Sequence, residues 1–287
     1  IYTLSLHDAL PIYVIYLLNR LFIEKGDKVL GYSPQFSEYE TDIKMHGATY
    51  DYVLLKKEDN FKFNEKEFIE KINPEYKVIY IDNPNNPTGQ IIPLSSIENI
   101  VREAAKYDIA VMVDEAYGEY MPKENSAVKL LNNYDNVIAL KTFSKGFGLA
   151  GLRAGYAVLP EQLVSPIKKI STPYEVSEIS RSIAANLLDD VQFIEELKEK
   201  TKDIKNQLLI PWKNLNIAET SDTVSIMTVE HKNKDIDLQQ EFAKLKIRVI
   251  SGSDFTGLDK NFIRFRMPEE KELPEVIKAF QIIDNIE

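Results

Sequence analysis

The segment that decides the fold reads Thr142-Phe143-Ser144-Lys145-Gly146-Phe147-Gly148-Leu149-Ala150-Gly151-Leu152-Arg153. Its lysine is the feature of chemical interest, because a lysine amine can hold an aldehyde as a Schiff base. The glycines also fit the G-x-G-x-x-G pattern of dinucleotide-binding loops, which should open a helix. Here Gly155 and an apolar strand at 156–159 follow too soon for a helix of useful length. We therefore interpret the glycines as points where the backbone passes close to a cofactor.

Two upstream segments carry polar side chains that follow apolar runs. Asn83-Pro84-Asn85-Asn86-Pro87-Thr88-Gly89 consists entirely of turn-forming chemistry, and Asp114-Glu115-Ala116-Tyr117 ends the apolar run at 109–114. An aspartate is the partner that a protonated pyridine nitrogen requires. The ordinary alternatives are a tight surface turn for the first segment and a helix-capping acid for Asp114. Capping explains Asp114 but not the Asp-x-x-Tyr pattern followed by a lysine.

Apolar runs and amphipathic stretches alternate along the first 160 residues. The pattern predicts strands at 28–32, 48–55, 77–81, 109–114, 137–141 and 153–159, and helices at 13–24, 39–46, 64–72 and 95–107. Strands that are apolar without alternation indicate a mostly parallel sheet covered on both faces. Functional side chains then belong at the carboxyl ends of the strands, where Pro34, Asn83, Asp114 and Thr142 lie.

The character of the chain changes from about residue 173. A long charged stretch at 179–209 has helical spacing and no glycine, and strand-like pieces follow at 224–229, 247–251 and 262–267 before a last helix at 273–286. We predict a large domain at 13–178, and a linking helix with a small α+β domain at 179–287.

Composition excludes several classes of function. The net charge is -10, so nucleic-acid binding is not expected. No apolar run approaches the length of a membrane span. The chain has no cysteine and only three scattered histidines, so we expect neither a metal site nor Ser-His-Asp chemistry. Lysine, aspartate, tyrosine and arginine remain to carry catalysis.

From about residue 13 to the C-terminus, the chain resembles the fold-type I pyridoxal-phosphate-dependent aminotransferases of class I/II, because these segments occur in that family's order and spacing. The resemblance implies pyridoxal 5'-phosphate as the cofactor. It implies a mostly parallel sheet sandwiched by helices, plus a smaller C-terminal α+β domain. It also implies a cytoplasmic homodimer that acts on a small amino donor and a 2-oxo acid.

The resemblance further implies roles for residues around the cofactor. Lys145 would form the Schiff base and then move the substrate proton as a nearly neutral amine. Asp114 would pair with the pyridine nitrogen, while Asn86 and Tyr117 would bond the phenolic oxygen. Phe36, for which core packing is the alternative, would stack on the pyridine ring.

Other polar residues would bind the phosphate and the substrate. By the same resemblance, the hydroxyls of Thr142 and Ser144 would bind the cofactor phosphate, together with Arg153, which stands eight residues after the lysine as in the family. A surface salt bridge is the alternative for Arg153. Arg264 would bind the substrate's acidic group. Strand alternation puts Arg266 on the same face as Arg264, although a solvated edge position explains Arg266 equally well.

Within the family, the chain resembles the histidinol-phosphate aminotransferase group, through Ala150-Gly151-Leu152-Arg153-Ala154-Gly155-Tyr156 and the pair Pro173-Tyr174. We therefore expect transfer from histidinol phosphate or a related donor to 2-oxoglutarate. Threonine-phosphate decarboxylase is the alternative, since Ser253-Asp254-Phe255-Thr256-Gly257-Leu258 resembles its C-terminal segment. Both groups tend to carry an arginine shortly before this segment. Here Ile250 stands at the equivalent position, and Arg248 lies two residues earlier. Aromatic or phosphonate donors, and a cofactor-bound transcription regulator, also remain open.

The opening segment has an unusual sequence. Residues 1–12, Ile1-Tyr2-Thr3-Leu4-Ser5-Leu6-His7-Asp8-Ala9-Leu10-Pro11-Ile12, back-translate to a common sequencing-adapter sequence. They lack the basic start and the apolar core of a targeting peptide. We expect them to be a translated assembly artefact. The family's N-terminal arm, and a glycine-containing loop near the cofactor phosphate, would then precede residue 13.

Overall fold

The computed structural model describes residues 2–4, 11–171, 176–188 and 190–287. Within these ranges the strands form a seven-stranded sheet and a four-stranded sheet. The larger sheet uses strands up to Leu159 and the smaller one uses strands from Leu215 onward. The two sheets thus fall on either side of the predicted boundary at residue 178. The Pro173-Tyr174 pair and most of residues 1–12 lie outside the described residues.

The larger sheet is mostly parallel, as predicted. Its strands are β1 (Tyr2–Leu4), β2 (Lys28–Ser33), β3 (Thr49–Leu54), β4 (Tyr76–Asp82), β5 (Ala110–Asp114), β6 (Val137–Thr142) and β7 (Gly155–Leu159). Their order is β1-β7-β6-β5-β4-β2-β3. The pairs from β3 to β6 are parallel, and β7 and β1 add antiparallel strands at one edge. Strand β5 is buried along its whole length, which explains its unbroken apolar sequence.

Helices cover both faces of this sheet. They are α1 (Pro11–Phe22), α2 (Glu38–Met45), α3 (Glu65–Lys71), α4 (Leu94–Ala105) and α5 (Glu161–Ile170). Alternate side chains of β4 point to opposite faces of the sheet and pack in two different hydrophobic cores. Ile79 and Ile81 pack with α3 and α4, whereas Val78 and Tyr80 pack with α1, α2 and α5. Helix α5 was not predicted. Pro166 lies inside it, and an internal proline argues against a helix.

The predicted continuous helix at 179–209 is wrong. The structure has α6 (Glu178–Leu187) and α7 (Val191–Asn206) instead. Asp190 caps α7, because its side chain accepts a hydrogen bond from the backbone N–H of Phe193. A capping acid satisfies an orphan N–H at a helix start, so the helical pattern is interrupted there although its apolar spacing continues.

The smaller sheet is antiparallel, with the order β10-β11-β9-β8. Its strands are β8 (Leu215–Ile217), β9 (Ile226–His231), β10 (Ile250–Ser251) and β11 (Phe262–Arg266), and the helices α8 (Leu238–Lys244) and α9 (Leu273–Asp284) share its core. The short elements β8 and α8 were not predicted. In β11, the side chains of Ile263 and Phe265 are buried in this core, as the predicted alternation requires.

A buried lysine ties α7 to the segment at 220–226. Lys205 Nζ lies 2.6 Å from Thr220 Oγ1 and 2.6, 2.8 and 2.7 Å from the carbonyl oxygens of Ser221, Val224 and Ile226. The same segment contacts the Asn83-Gly89 turn, because a Cβ at Gly89 would lie 2.3 Å from Ile226 O. Only glycine tolerates this approach at its φ of +78°. Lys205 therefore stabilises the segment at 220–226, against which the Asn83-Gly89 turn packs.

Lys205→Met is expected to destabilise the cofactor-free protein by about 2 kcal/mol, because buried carbonyl oxygens lose their donor. Urea unfolding followed by circular dichroism gives the measurement. The control is Lys202→Met on the same helix, since Lys202 is exposed and its ion pair with Asp222 spans 3.6 Å. A surface pair of this kind contributes about 0–1 kcal/mol. Equal effects of the two substitutions would contradict the supporting role of Lys205.

Candidate active site

A cavity opens where β2, β4, β5 and β6 reach their carboxyl ends. Parallel strands end at the same edge, so the loops that follow them converge there. The register confirms this convergence: Asp82 lies beside Asp114 across β4 and β5. The cavity is lined by Ile12, Phe36, Tyr39, Asp82, Pro84, Asn86, Asp114, Ala116, Tyr117, Thr142, Ser144, Lys145 and Arg264.

Asp114 lies at the buried base of this cavity. Its Oδ2 accepts a hydrogen bond from Tyr39 Oη at 2.7 Å, and its Oδ1 accepts one from Ala116 N at 2.9 Å. Burial, together with the negative charge of Asp82, raises the pKa of Asp114 to about 6, against the lowering effects of the Tyr39 bond and the Lys145 charge. A cationic ring nitrogen placed here would stabilise the carboxylate. The helix-capping alternative does not account for the Tyr39 bond.

Lys145 faces the same space. Its Nζ lies 5.7 Å from the centroid of the Tyr117 ring. Partial burial lowers the pKa of Lys145, and the positive charges of Arg264 and Arg266 lower it further. Lys145 as a whole is nevertheless accessible to solvent, because it lines an open cavity. A depressed pKa is what a lysine needs to act as a nucleophile and as a base near neutral pH.

The Asn83-Gly89 turn meets β11 at the cavity wall. Arg264 Nη1 donates to Asn86 Oδ1 at 2.9 Å. Its guanidinium also lies over the ring of Phe255, 5.9 Å from the centroid. Arg264 Nε is buried and has no hydrogen-bond partner within the described residues. A buried donor of this kind suits an incoming anion.

The hydroxyls after β6 and the aromatic wall complete the cavity. Thr142 Oγ1 donates to Ser144 Oγ at 3.0 Å and accepts from Ser144 N at 3.0 Å, so the two hydroxyls lie side by side next to Lys145. Phe36 is half-buried, and its ring meets that of Tyr39 edge-on at 5.4 Å. Phe36 thus combines packing in the core with exposure to the cavity.

The structure does not bring Arg153 and Arg266 to the cavity wall. Arg153 is exposed, and its Nη1 donates to Ala150 O at 3.2 Å, from a backbone with a φ of 55°. Arg266 is exposed and lines a separate cavity with Tyr120 and Ser225. Arg266, for which a solvated edge position was the alternative, therefore lies outside the cavity that Arg264 lines.

Sequence reasoning missed two side chains of the site. Tyr39, the second residue of α2, reaches Asp114 from that helix, while Asp82 ends β4 immediately before the Asn83-Gly89 turn. A weak signal existed for Asp82, since it is a carboxylate at the carboxyl end of a predicted parallel strand. The sequence held no signal for the Tyr39–Asp114 bond, because those residues stand 75 positions apart.

Comparison with known proteins gives the family. The family model for aminotransferase class I and II matches residues 12–280. The chain belongs to this family. Among curated relatives, the aminotransferase is 34% identical to the histidinol-phosphate aminotransferase of Methanococcoides burtonii, over 93% of this chain and 71% of that one. Like the rest of its family, it is a pyridoxal-phosphate-dependent enzyme.

Two solved structures share the fold of this aminotransferase. The histidinol-phosphate aminotransferase of Clostridium acetobutylicum matches with a TM-score of 0.84 at 24% identity, over 96% of this chain and 81% of that one. The L-threonine-O-3-phosphate decarboxylase of Porphyromonas gingivalis matches with a TM-score of 0.77 at 20% identity, over 96% and 82%. At these identities the likeness establishes the fold-type I architecture.

The chemistry of the cavity fits pyridoxal phosphate. A buried carboxylate, Asp114, suits the ring nitrogen, and the amine of Lys145 suits the aldehyde. The paired hydroxyls of Thr142 and Ser144 are hydrogen-bonding groups for a phosphate. None of the helices in the described ranges combines the length and apolar character needed to span a bilayer.

Proposed function

We propose that this aminotransferase moves an amino group from histidinol phosphate, or a related amino donor, to 2-oxoglutarate, and that Lys145 is its Schiff-base residue. The observation that carries the proposal is the meeting of Lys145 with Asp114 in one cavity, with a lowered pKa at the lysine and a buried carboxylate below it. The 34% identity to a curated histidinol-phosphate aminotransferase supports the choice of donor.

Bound pyridoxal phosphate supplies an aldehyde and a protonated ring that withdraws electrons from the substrate. Asp114 keeps a proton on the ring nitrogen by pairing with it as a carboxylate. Asn86, in the turn after β4, and Tyr117, in the loop after β5, would donate hydrogen bonds to the phenolic oxygen from neighbouring strand ends. Lys145 would hold the aldehyde carbon through its amine and, once the substrate amine displaces it, would carry a proton between the substrate Cα and the cofactor.

The phosphate and the ring have their own contacts in this proposal. The hydroxyls of Thr142 and Ser144 would bind phosphate oxygens, and Phe36 would pack against the ring. Arg153 joins them by turning its exposed guanidinium inward, away from Ala150 O. This movement needs the loss of one weak hydrogen bond of 3.2 Å.

Arg264 binds the acidic group of the substrate. Its guanidinium already faces the cavity, and its unpartnered Nε gives it a second donor for a bidentate grip. Ile250 is the residue opposite Arg264 on the neighbouring strand, and Arg248 is exposed. The phosphate of a phosphorylated donor would therefore bind Arg264, or groups other than those of the β10-β11 wall of the cavity.

Arg264→Gln is expected to raise the KM for 2-oxoglutarate about 10- to 100-fold, the effect of losing hydrogen bonds between charged groups. Steady-state kinetics at saturating amino donor give the measurement. Arg266→Gln on the same strand is the matched control, because Arg266 lines a different cavity, and its KM should stay within about threefold of the wild type. A larger effect at Arg266 would mean that the substrate lies in that cavity instead.

The donor is tested with the cofactor-loaded enzyme and histidinol phosphate in the absence of any 2-oxo acid. Loss of the visible band of the lysine-bound cofactor, and recovery of that band on adding 2-oxoglutarate, would support the proposal. An unchanged band would exclude this donor and direct the test to threonine phosphate, aromatic amino acids and aminophosphonates. Release of CO2 from threonine phosphate would identify a decarboxylase instead.

We also propose that the enzyme is a homodimer, as the family resemblance implies. Sedimentation equilibrium of the cofactor-loaded protein provides the test. A single species at the 33.0 kDa mass of one chain would contradict it.

A further inference from the structure

Asp82 is a buried carboxylate in the cavity that the proposed chemistry does not use. It is 3% exposed, ends β4, and lies in register with Asp114 on β5. A second buried carboxylate beside the first is costly, because like charges repel and burial penalises both. Such a group needs compensating contacts, and those contacts indicate what it does.

The compensating contacts come from two segments that carry residues proposed to contact the cofactor: the β2 segment and loop leading to Phe36, and the turn containing Asn86. Tyr32 Oη donates to Asp82 Oδ1 at 2.6 Å and Gln35 Nε2 donates to the same oxygen at 2.9 Å. From the turn, Asn86 N donates to Oδ2 at 2.8 Å, and Asn85 Nδ2 lies 3.2 Å from both oxygens. Both carboxylate oxygens are thus occupied by donors.

These contacts join the turn after β4 to the loop after β2. Gln35 immediately precedes Phe36, and its Oε1 accepts a further bond from Tyr50 Oη at 2.7 Å, so its amide is held at both ends. Asn86 donates its backbone N–H to the Asp82 carboxylate. The positions of Phe36 and Asn86 in the cavity are therefore set relative to one another through Asp82.

We propose that Asp82 is a positioning residue that aims the Asn86 amide at the cofactor's phenolic oxygen. The inference rests on the proposed roles of Lys145 and Asn86. An asparagine at position 82 would have nearly the same shape, but its NH2 group would face a donor from the turn or from the β2 loop. The turn would then move away from that group, and the Asn86 amide would move with it.

The test follows the pH midpoint at which the visible band of the lysine-bound cofactor changes. A donor to the ionised phenolic oxygen weakens that oxygen's hold on the proton of the lysine nitrogen, so losing the donor raises the midpoint. Asn86→Ala should raise it by about half to one pH unit, the worth of one hydrogen bond. Asp82→Asn should raise it by a similar amount, and the double variant should raise it no further.

The direction of the shift separates positioning from simple electrostatics. Removing a negative charge near the site would, by itself, favour loss of the proton and lower the midpoint. A lower midpoint in Asp82→Asn, an unchanged one, or additive shifts in the double variant would each overturn the proposal. A wild-type protein that forms no visible band would instead refute the proposed role of Lys145.

Two further variants guard against a general effect of losing a buried carboxylate. Tyr32→Phe removes one donor to Asp82 and keeps the charge, so it should raise the midpoint by a smaller amount and add nothing to Asn86→Ala. If Asp82→Asn does not fold, this variant carries the test. Asp42→Asn is the matched control, because Asp42 is a buried carboxylate held by Asn19 Nδ2 at 2.7 Å and should leave the midpoint unchanged.

Discussion

Lys145→Ala is expected to lower kcat for transamination by about 10⁴-fold or more, because in the proposed function this one side chain supplies both covalent attachment of the cofactor and proton transfer. The structure offers no substitute amine at the cavity wall within the described residues, since Lys145 is the single lysine among those that line it. The visible band of the lysine-bound cofactor should also disappear. Absorbance spectroscopy and a coupled assay of the 2-oxo product give the two measurements.

A chemical control makes this prediction specific. Small primary amines added to Lys145→Ala should restore part of the activity, because a diffusible amine can replace the missing base. The same amines should not affect Lys202→Ala, whose exposed side chain lies on α7. Activity of Lys145→Ala within about tenfold of the wild type would contradict the assignment, since general base catalysis alone is worth 10²–10⁴-fold.

The sequence predicted the sheet well because parallel strands that are buried on both faces are continuous apolar runs. Strand β5 was predicted at 109–114 and spans Ala110–Asp114, and its end carries the carboxylate that was assigned to the cofactor. Once the strands were placed, the meeting of Asn86, Asp114 and Lys145 followed from geometry, because the carboxyl ends of parallel strands share one edge.

The features that sequence reasoning missed depend on tertiary contacts or on short elements. Tyr39 reaches Asp114 at the end of β5 from helix α2, and no local sequence pattern indicates such a bond. The orientation of Arg153 is set by a left-handed backbone position and a bond to Ala150 O, while its spacing from Lys145 carries no information about direction. The three-residue β8 is too short to show a period.

The contribution of Asp114 is predicted from its place at the buried base of the cavity. Asp114→Asn is expected to lower kcat/KM about 10²- to 10³-fold, the size of effect seen when one preorganised electrostatic partner is removed. Asn cannot keep a proton on the ring nitrogen by charge, so the ring withdraws electrons less strongly. Steady-state kinetics at saturating cofactor give the measurement, with Asp42→Asn as the control for a buried carboxylate outside the cavity.

The pH dependence of this variant gives an independent check, because the folded pKa of Asp114, about 6, lies above its ordinary value of 3.8. A carboxyl group with a raised folded pKa holds its proton more tightly in the folded state. Its contribution to the stability of the cofactor-free protein is therefore full below pH 3.8 and is lost as the pH rises through about 6. Above pH 6, cofactor-free Asp114→Asn should consequently resist urea at least as well as the wild type.

Cofactor binding has the opposite pH dependence, since pairing with a protonated ring nitrogen needs the ionised carboxylate of Asp114. Wild-type affinity for pyridoxal phosphate should weaken as the pH falls below about 6, and this acid limb should be absent in Asp114→Asn, whereas an identical limb in both proteins would show that another group controls it.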